Sequence, residues 1–247
     1  MRTPGLFYLL CMLCLPAWGD GREAQQLSEL TSRSLLLCAS ALLYFNPQDR
    51  APDPRSLTAA FHHLNTLDTH VVQLGQPDQL AQPLQTIKGL FNQLDALPRT
   101  QSNNYPQLIE HLLTAQQHLQ QVADEHYARA NADAAARALN TQSQSIARLL
   151  VDYQLRSYPL ANKTTVALSQ SQLLTLKRAI DQQFDTLLNL PSAPTKELAR
   201  IKTSYQFVRA GLQKEDRSAH SGGAEFYLSR VVIDLDELAM AQAESKN

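Results

Sequence analysis

Cysteine is nearly missing from the part of this chain that could fold. Of three cysteines, Cys11 and Cys14 fall in the first nineteen residues and only Cys38 lies beyond them. A lone thiol has no internal partner, so no disulfide framework supports the fold and packing must do so. Glycine is also scarce, at eight residues, and no Gly-rich phosphate loop or Gly-x-Ser-x-Gly elbow occurs. β-branched residues are few and no stretch alternates polar with apolar, which removes the signals of strands. Charge of one sign is lacking too. The chain carries 22 basic and 23 acidic side chains with no Lys/Arg run, so nothing points to nucleic acid or a membrane surface as partner. Finally, no apolar run approaches the roughly twenty residues that span a bilayer as a helix.

What is present begins with a leader. Met1 and Arg2 form a short positive segment, Leu6 to Leu15 is an apolar run, and Pro16 ends it. Ala17-Trp18-Gly19 then places small residues three and one positions before Asp20, the layout of a secretory signal peptide cut between Gly19 and Asp20. A retained membrane anchor is the alternative. Removal of residues 1–19 takes the only tryptophan, leaves Met240 as the one methionine, and with Arg2 gone leaves 21 basic against 23 acidic groups. The expected location is the periplasm or the medium, with no transmembrane segment after processing.

The remainder reads as all-α. Leu27, Leu30, Ser34, Leu37, Ala41 and Tyr44 step by threes and fours, one stripe of a 3.6-residue helix. Leu108, Leu112, Ala115, Leu119 and Val122 do the same, as do Leu173, Leu176, Ile180, Phe184 and Leu187, and then Leu228, Val232, Leu235 and Ala239. Breakers such as Asn46-Pro47, Gly75-Gln-Pro77, Pro159 and Pro191 separate them. The pattern predicts eight helices, over 22–45, 55–74, 78–97, 104–131, 133–157, 169–190, 195–215 and 223–244.

Shifted by 109 residues, Leu30, Ser34, Leu37 and Tyr44 fall on Leu139, Ser143, Ile146 and Tyr153. The last helices of the halves also superpose, Leu108, Leu112, Ala115 and Leu119 on Leu228, Val232, Leu235 and Ala239. Any two amphipathic helices align in part, but an internal duplication is the preferred reading. It gives two tandem up-down four-helix bundles after the signal peptide: residues 20–131 and 132–247. Asp133 is placed to cap the fifth helix, unless helices four and five run on as one.

Chemistry-bearing motifs are sparse. His63/His70 and His111/His118 are each seven apart, about 10 Å along a helix axis, too far for two ligands of one zinc. No His-Glu-x-x-His or Glu-x-x-His occurs, so no metal and no cofactor is expected; a site joining the two His pairs across helices is the remaining option. Cys38, between Leu37 and Ala39, reads as a small buried hydrophobe. Asp234, Asp236 and Glu237 are expected on a solvated face. Asn162-Lys-Thr164 fits a glycosylation acceptor in a eukaryotic source. One candidate binding site stands out, for an anion at a helix start: Arg217, His220, Ser221, Gly222 and Gly223. An ordinary interhelical turn is the plainer and preferred reading of it.

With no catalytic residues identified, the leading expectation is a non-catalytic interaction or adaptor protein whose partner is another envelope protein. A small-molecule or ion-binding bundle is the alternative, and an enzyme ranks third. One discriminator is available: a binding bundle should bury charged or His residues inside a core stripe, and the stripes read as mostly Leu, Ile, Val and Ala.

Overall fold

The computed structural model describes residues 20–49, 51–161, 167–190, 194–209, 211–213 and 221–245. Among the described residues the fold is all-helical, with eight helices and no strand. They are α1 (Asp20–Tyr44), α2 (Pro54–Gln73), α3 (Asp78–Ala96), α4 (Tyr105–Tyr127), α5 (Ala134–Ser157), α6 (Gln170–Leu188), α7 (Thr195–Arg209) and α8 (Ser221–Ser245). Short 3-10 turns at Arg99–Asn104 and Gly211–Gln213 precede α4 and follow α7.

Local chemistry explains the boundaries. Asp53 accepts from Arg55 N at 2.9 Å, and Pro54 supplies a first residue with no donor to lose, so α2 starts there. It stops where Gly75 turns to φ +82°. Gly75 N then donates to Val72 O and Gln76 N to Val71 O, the paired bonds of a Schellman cap. Gln172 and Ser169 form a reciprocal capping box at the start of α6. Asp133 accepts from Ala135 N at 2.9 Å and caps α5. The helix expected over 104–131 therefore ends early, at Tyr127, and α4 and α5 are separate helices. The seventh helix, expected to reach 215, ends at Arg209.

Helix contacts follow chain order within each half. α1 packs on α2 and α4, α3 packs on α2 and α4, and the same pattern links α5 to α6 and α8, and α7 to α6 and α8. α1 packs in addition on α5 and α8, and one continuous apolar core runs through all eight helices.

That second set of contacts changes α1 most. Its sequence suggests one apolar stripe, yet residues 24–42 are buried without a break. A helix buried all round is ordinarily apolar all round. This one also buries Gln25, Gln26, Ser28, Glu29, Thr31, Ser32, Arg33, Ser34 and Ser40. Buried polar groups must find partners, and those partners define the most unusual region of the molecule.

Candidate functional site

Glu29 and Arg33 sit one turn apart on α1, the i,i+4 spacing that brings side chains together. Arg33 Nη2 lies 3.3 Å from Glu29 Oε2, and both side chains are under one tenth exposed. From α2, His70 Nε2 reaches the same carboxylate at 3.2 Å, and Gln25 Nε2 donates to Glu29 Oε1 at 3.2 Å. From α8, Asp236 faces Arg33 Nε at 3.7 Å, an ion-pair distance too long for a hydrogen bond. Two serines meet Asp236 instead: Ser32 Oγ at 2.9 Å from Oδ2 and Ser143 Oγ, on α5, at 2.5 Å from Oδ1. Gln25 Nε2 also donates to the Asp236 carbonyl at 3.1 Å. Thus α1, α2, α5 and α8 each contribute to one buried polar cluster.

Two carboxylates share a single guanidinium, with an imidazole beside them. Burial pushes the Glu29 carboxyl up, but the hydrogen bond with His70, the charges of Arg33 and His70 and the Gln25 amide together bring it below its ordinary value. Asp236 goes the other way. Burial and then the neighbouring Glu29 charge push it up to about 7, against the opposing pull of Arg33 and the two serines. Nearby, burial and then the Arg33 charge push His63 down to about 3, so it stays neutral at pH 7. Among the described residues, the Nδ1 atoms of His63 and His70 have no hydrogen-bonding partner.

The same seam continues along α1 and α8. Ser40 Oγ donates to Glu225 Oε1 at 2.7 Å, and burial raises that carboxyl too. Cys38 is fully buried and its thiol is pushed up to about 12 by burial, so it packs as a small apolar group.

Asp236 and Asp234, expected on a solvated face, are 1% and 7% exposed. The reason is geometric: α8 is enclosed by α1, α5 and α7, so the flank of its stripe is interior as well. Glu237 is exposed as expected. Of the paired histidines, His63 is buried while His111 and His118 lie on the surface. No group of three or more His, Cys, Asp or Glu among the described residues is placed to hold a metal ion.

Arg217 and His220 of the candidate anion site lie outside the described residues, as do Asn162-Lys-Thr164 and the leader over residues 1–19. Ser221, Gly222 and Gly223 open α8, and a Cβ added at Gly223 would meet open space.

Two surface features remain. A cavity of about 280 Å³ is lined by Asp152, Tyr153 and Arg156 of α5, Gln170 and Lys177 of α6, and Leu212. Asp152 is anchored there, accepting from Arg156 Nε at 2.7 Å and from Leu168 N at 2.8 Å. On the outer face of α7 and α8, Phe207 is 69% exposed and Phe226 64%. Tyr227 lies between them, 5.2 Å from the Phe207 ring and 5.3 Å from the Phe226 ring. No helix among the described residues is long and apolar enough to cross a membrane. No known protein family, characterised protein or solved structure matches the chain.

Proposed function

We infer that this is an exported, non-catalytic helical-bundle protein that binds another protein of the cell envelope through the outer face of α7 and α8. The observation that carries this reading is the three-ring patch of Phe207, Tyr227 and Phe226. Scattered exposed apolar residues are normal, but contiguous aromatic rings in water mark a contact surface. Charge narrows the partner. On α7, Lys202 and Arg209 are paired with Asp185 and Asp181 of α6, whereas Arg200 shares the single carboxylate of Asp234 with Arg230 of α8, so the excess positive charge sits at Lys196 and at these two arginines. Arg230, one turn beyond Phe226, adds to the same face. That local excess of positive charge beside an apolar centre complements a partner whose apolar contact carries a carboxylate at its edge.

In this reading residues 1–19 are removed and each half, 20–131 and 132–247, is an up-down four-helix bundle derived by duplication. The matching order of helix contacts in the two halves supports that arrangement. The test is retention of an envelope protein on immobilised protein. Phe207→Ser with Phe226→Ser should abolish retention of one specific acidic partner, and Lys196→Glu should weaken it. Retention indifferent to all three changes would sink the proposal.

A small-molecule or ion-binding role is the second reading. It is favoured by the charged groups buried in the core stripes of α1 and α8 and by the α5–α6 cavity with its mixed charges. Small zwitterions or anions that raise the melting temperature in a concentration-dependent way would support it.

A further inference from the structure

We propose that Asp236 is a proton-exchange site whose charge state sets how tightly α8 is held against α1 and α5. The argument starts from hydroxyl bookkeeping, since a serine has one proton to donate and accepts through its oxygen. Ser143 Oγ lies 2.5 Å from Asp236 Oδ1 and also 3.4 Å from the carbonyl of Val232. Ser32 Oγ lies 2.9 Å from Asp236 Oδ2 and also 3.4 Å from the carbonyl of Glu29. Each serine therefore has two acceptors for one proton. With Asp236 ionised, both hydroxyls turn to its carboxylate. With Asp236 protonated on Oδ1, its O–H donates to Ser143 Oγ, and the Ser143 hydroxyl turns to Val232 O. No hydroxyl or carboxyl oxygen of Asp236, Ser32 or Ser143 is stranded in either state, and only hydroxyl protons turn.

A carboxyl needed only as an anion would be served better by a direct cation. Arg33 is spent on Glu29, and its nearest approach to Asp236 is 3.7 Å. The remaining charged neighbours do not compensate it. On α2, His70 pairs with Glu29 and His63 lies by Arg33. On α5, Arg148 faces Asp152 and Cys38; on α7, Arg200 is bound to Asp234. Release of the Asp236 proton thus places a second negative charge beside Glu29, which already engages Arg33 and His70, in a water-poor interior, and this weakens the α1–α8 seam. Uptake of the proton removes the repulsion. The upward displacement of this carboxyl, caused by burial and by Glu29, agrees in direction.

Linkage gives the sign. A carboxyl held above its unfolded value stabilises the fold fully below the unfolded pKa, near 4, and loses that contribution as pH rises through about 7. His63, held below its ordinary value, works oppositely between about 3 and 6.5. A difference profile separates them. The unfolding equilibrium of the full chain is measured in urea from pH 4 to pH 8.5, beside Asp236→Asn. The stability ratio of variant to natural protein should shift in the variant's favour by up to about tenfold per pH unit across this window, then level off. A flat ratio would overturn the proposal. Because the variant could fail to fold, carbon-13 spectra of aspartate-labelled natural protein provide a second reading. One aspartate carboxyl should titrate near neutrality, and Ser143→Ala should move its midpoint up by removing a donor. If every aspartate carboxyl titrates below about pH 5, Asp236 is no such site.

Discussion

Gln116 Nε2 donates to Ser34 Oγ at 3.2 Å across the seam between α4 and α1. In the second half Ser143, 109 positions after Ser34, meets Asp236 across the seam between α5 and α8. Gln116 and Asp236 also fall on matching places when Leu108–Leu119 is laid on Leu228–Ala239. One polar pair in the same place in both halves supports the duplication reading. The two places differ in one respect: a neutral amide stands in one half and a titratable acid in the other.

The contacts of α1 with α5 and α8 lead to an expectation about fragments. Residues 22–130 and 133–247, co-expressed as separate chains, should co-purify as a one-to-one complex, because the α1–α5–α8 seam buries polar and apolar groups of both. Two fragments that fold independently and ignore each other in analytical ultracentrifugation would show that the seam contributes little.

Among the described residues, Arg33 is the cation that lies within ion-pair distance of both Glu29 and Asp236. Arg33→Met should destabilise the protein by about 3–5 kcal/mol at pH 8, the scale for leaving buried charge uncompensated. At pH 5 the loss should be smaller, since Asp236 then carries its proton. Urea midpoints at the two pH values check this, and an equal loss at both would contradict it.

His63 is neutral and buried in the fold and free to charge when unfolded. Its contribution to stability should therefore fall as pH drops below about 6.5, down to its folded value of about 3. His63→Leu should remove that part of the acid sensitivity in a thermal-melt series. An unchanged acid limb in the variant would show that His63 is not responsible.

The proposed export makes a simple demand on mass. Protein recovered from the periplasm or medium should begin at or near Asp20, and its tryptophan emission should be missing because Trp18 is the only tryptophan. Intact Met1 on membrane-bound material would overturn this.

Much of the fold was legible from residue spacing. Leu228, Val232, Leu235 and Ala239 are all buried, as their steps of four and three imply. The caps at Asp53, Asp133 and Ser169 mark helix starts near where the pattern places them. The site was far less legible. Glu29–Arg33 looks like any surface i,i+4 pair until α5 and α8 cover α1, and that covering is a tertiary fact with no local signature. Asp236 did leave a trace, four residues after Val232 and three before Ala239, and so inside the stripe. The paired positions Ser34 and Ser143 were visible as a repeat, but their hydrogen-bonding partners were not.

The proposed binding face of α7 and α8 is open to the most direct measurement. A photoreactive residue placed at Phe207 in the full chain, in intact source cells, should give one discrete cross-linked protein. The cross-linked peptide should pair apolar with acidic side chains, and Lys196→Glu should diminish the adduct. The same probe at the exposed Gln121 on α4 should not yield it. Adducts that are equal from both positions, or none from Phe207, would contradict the account.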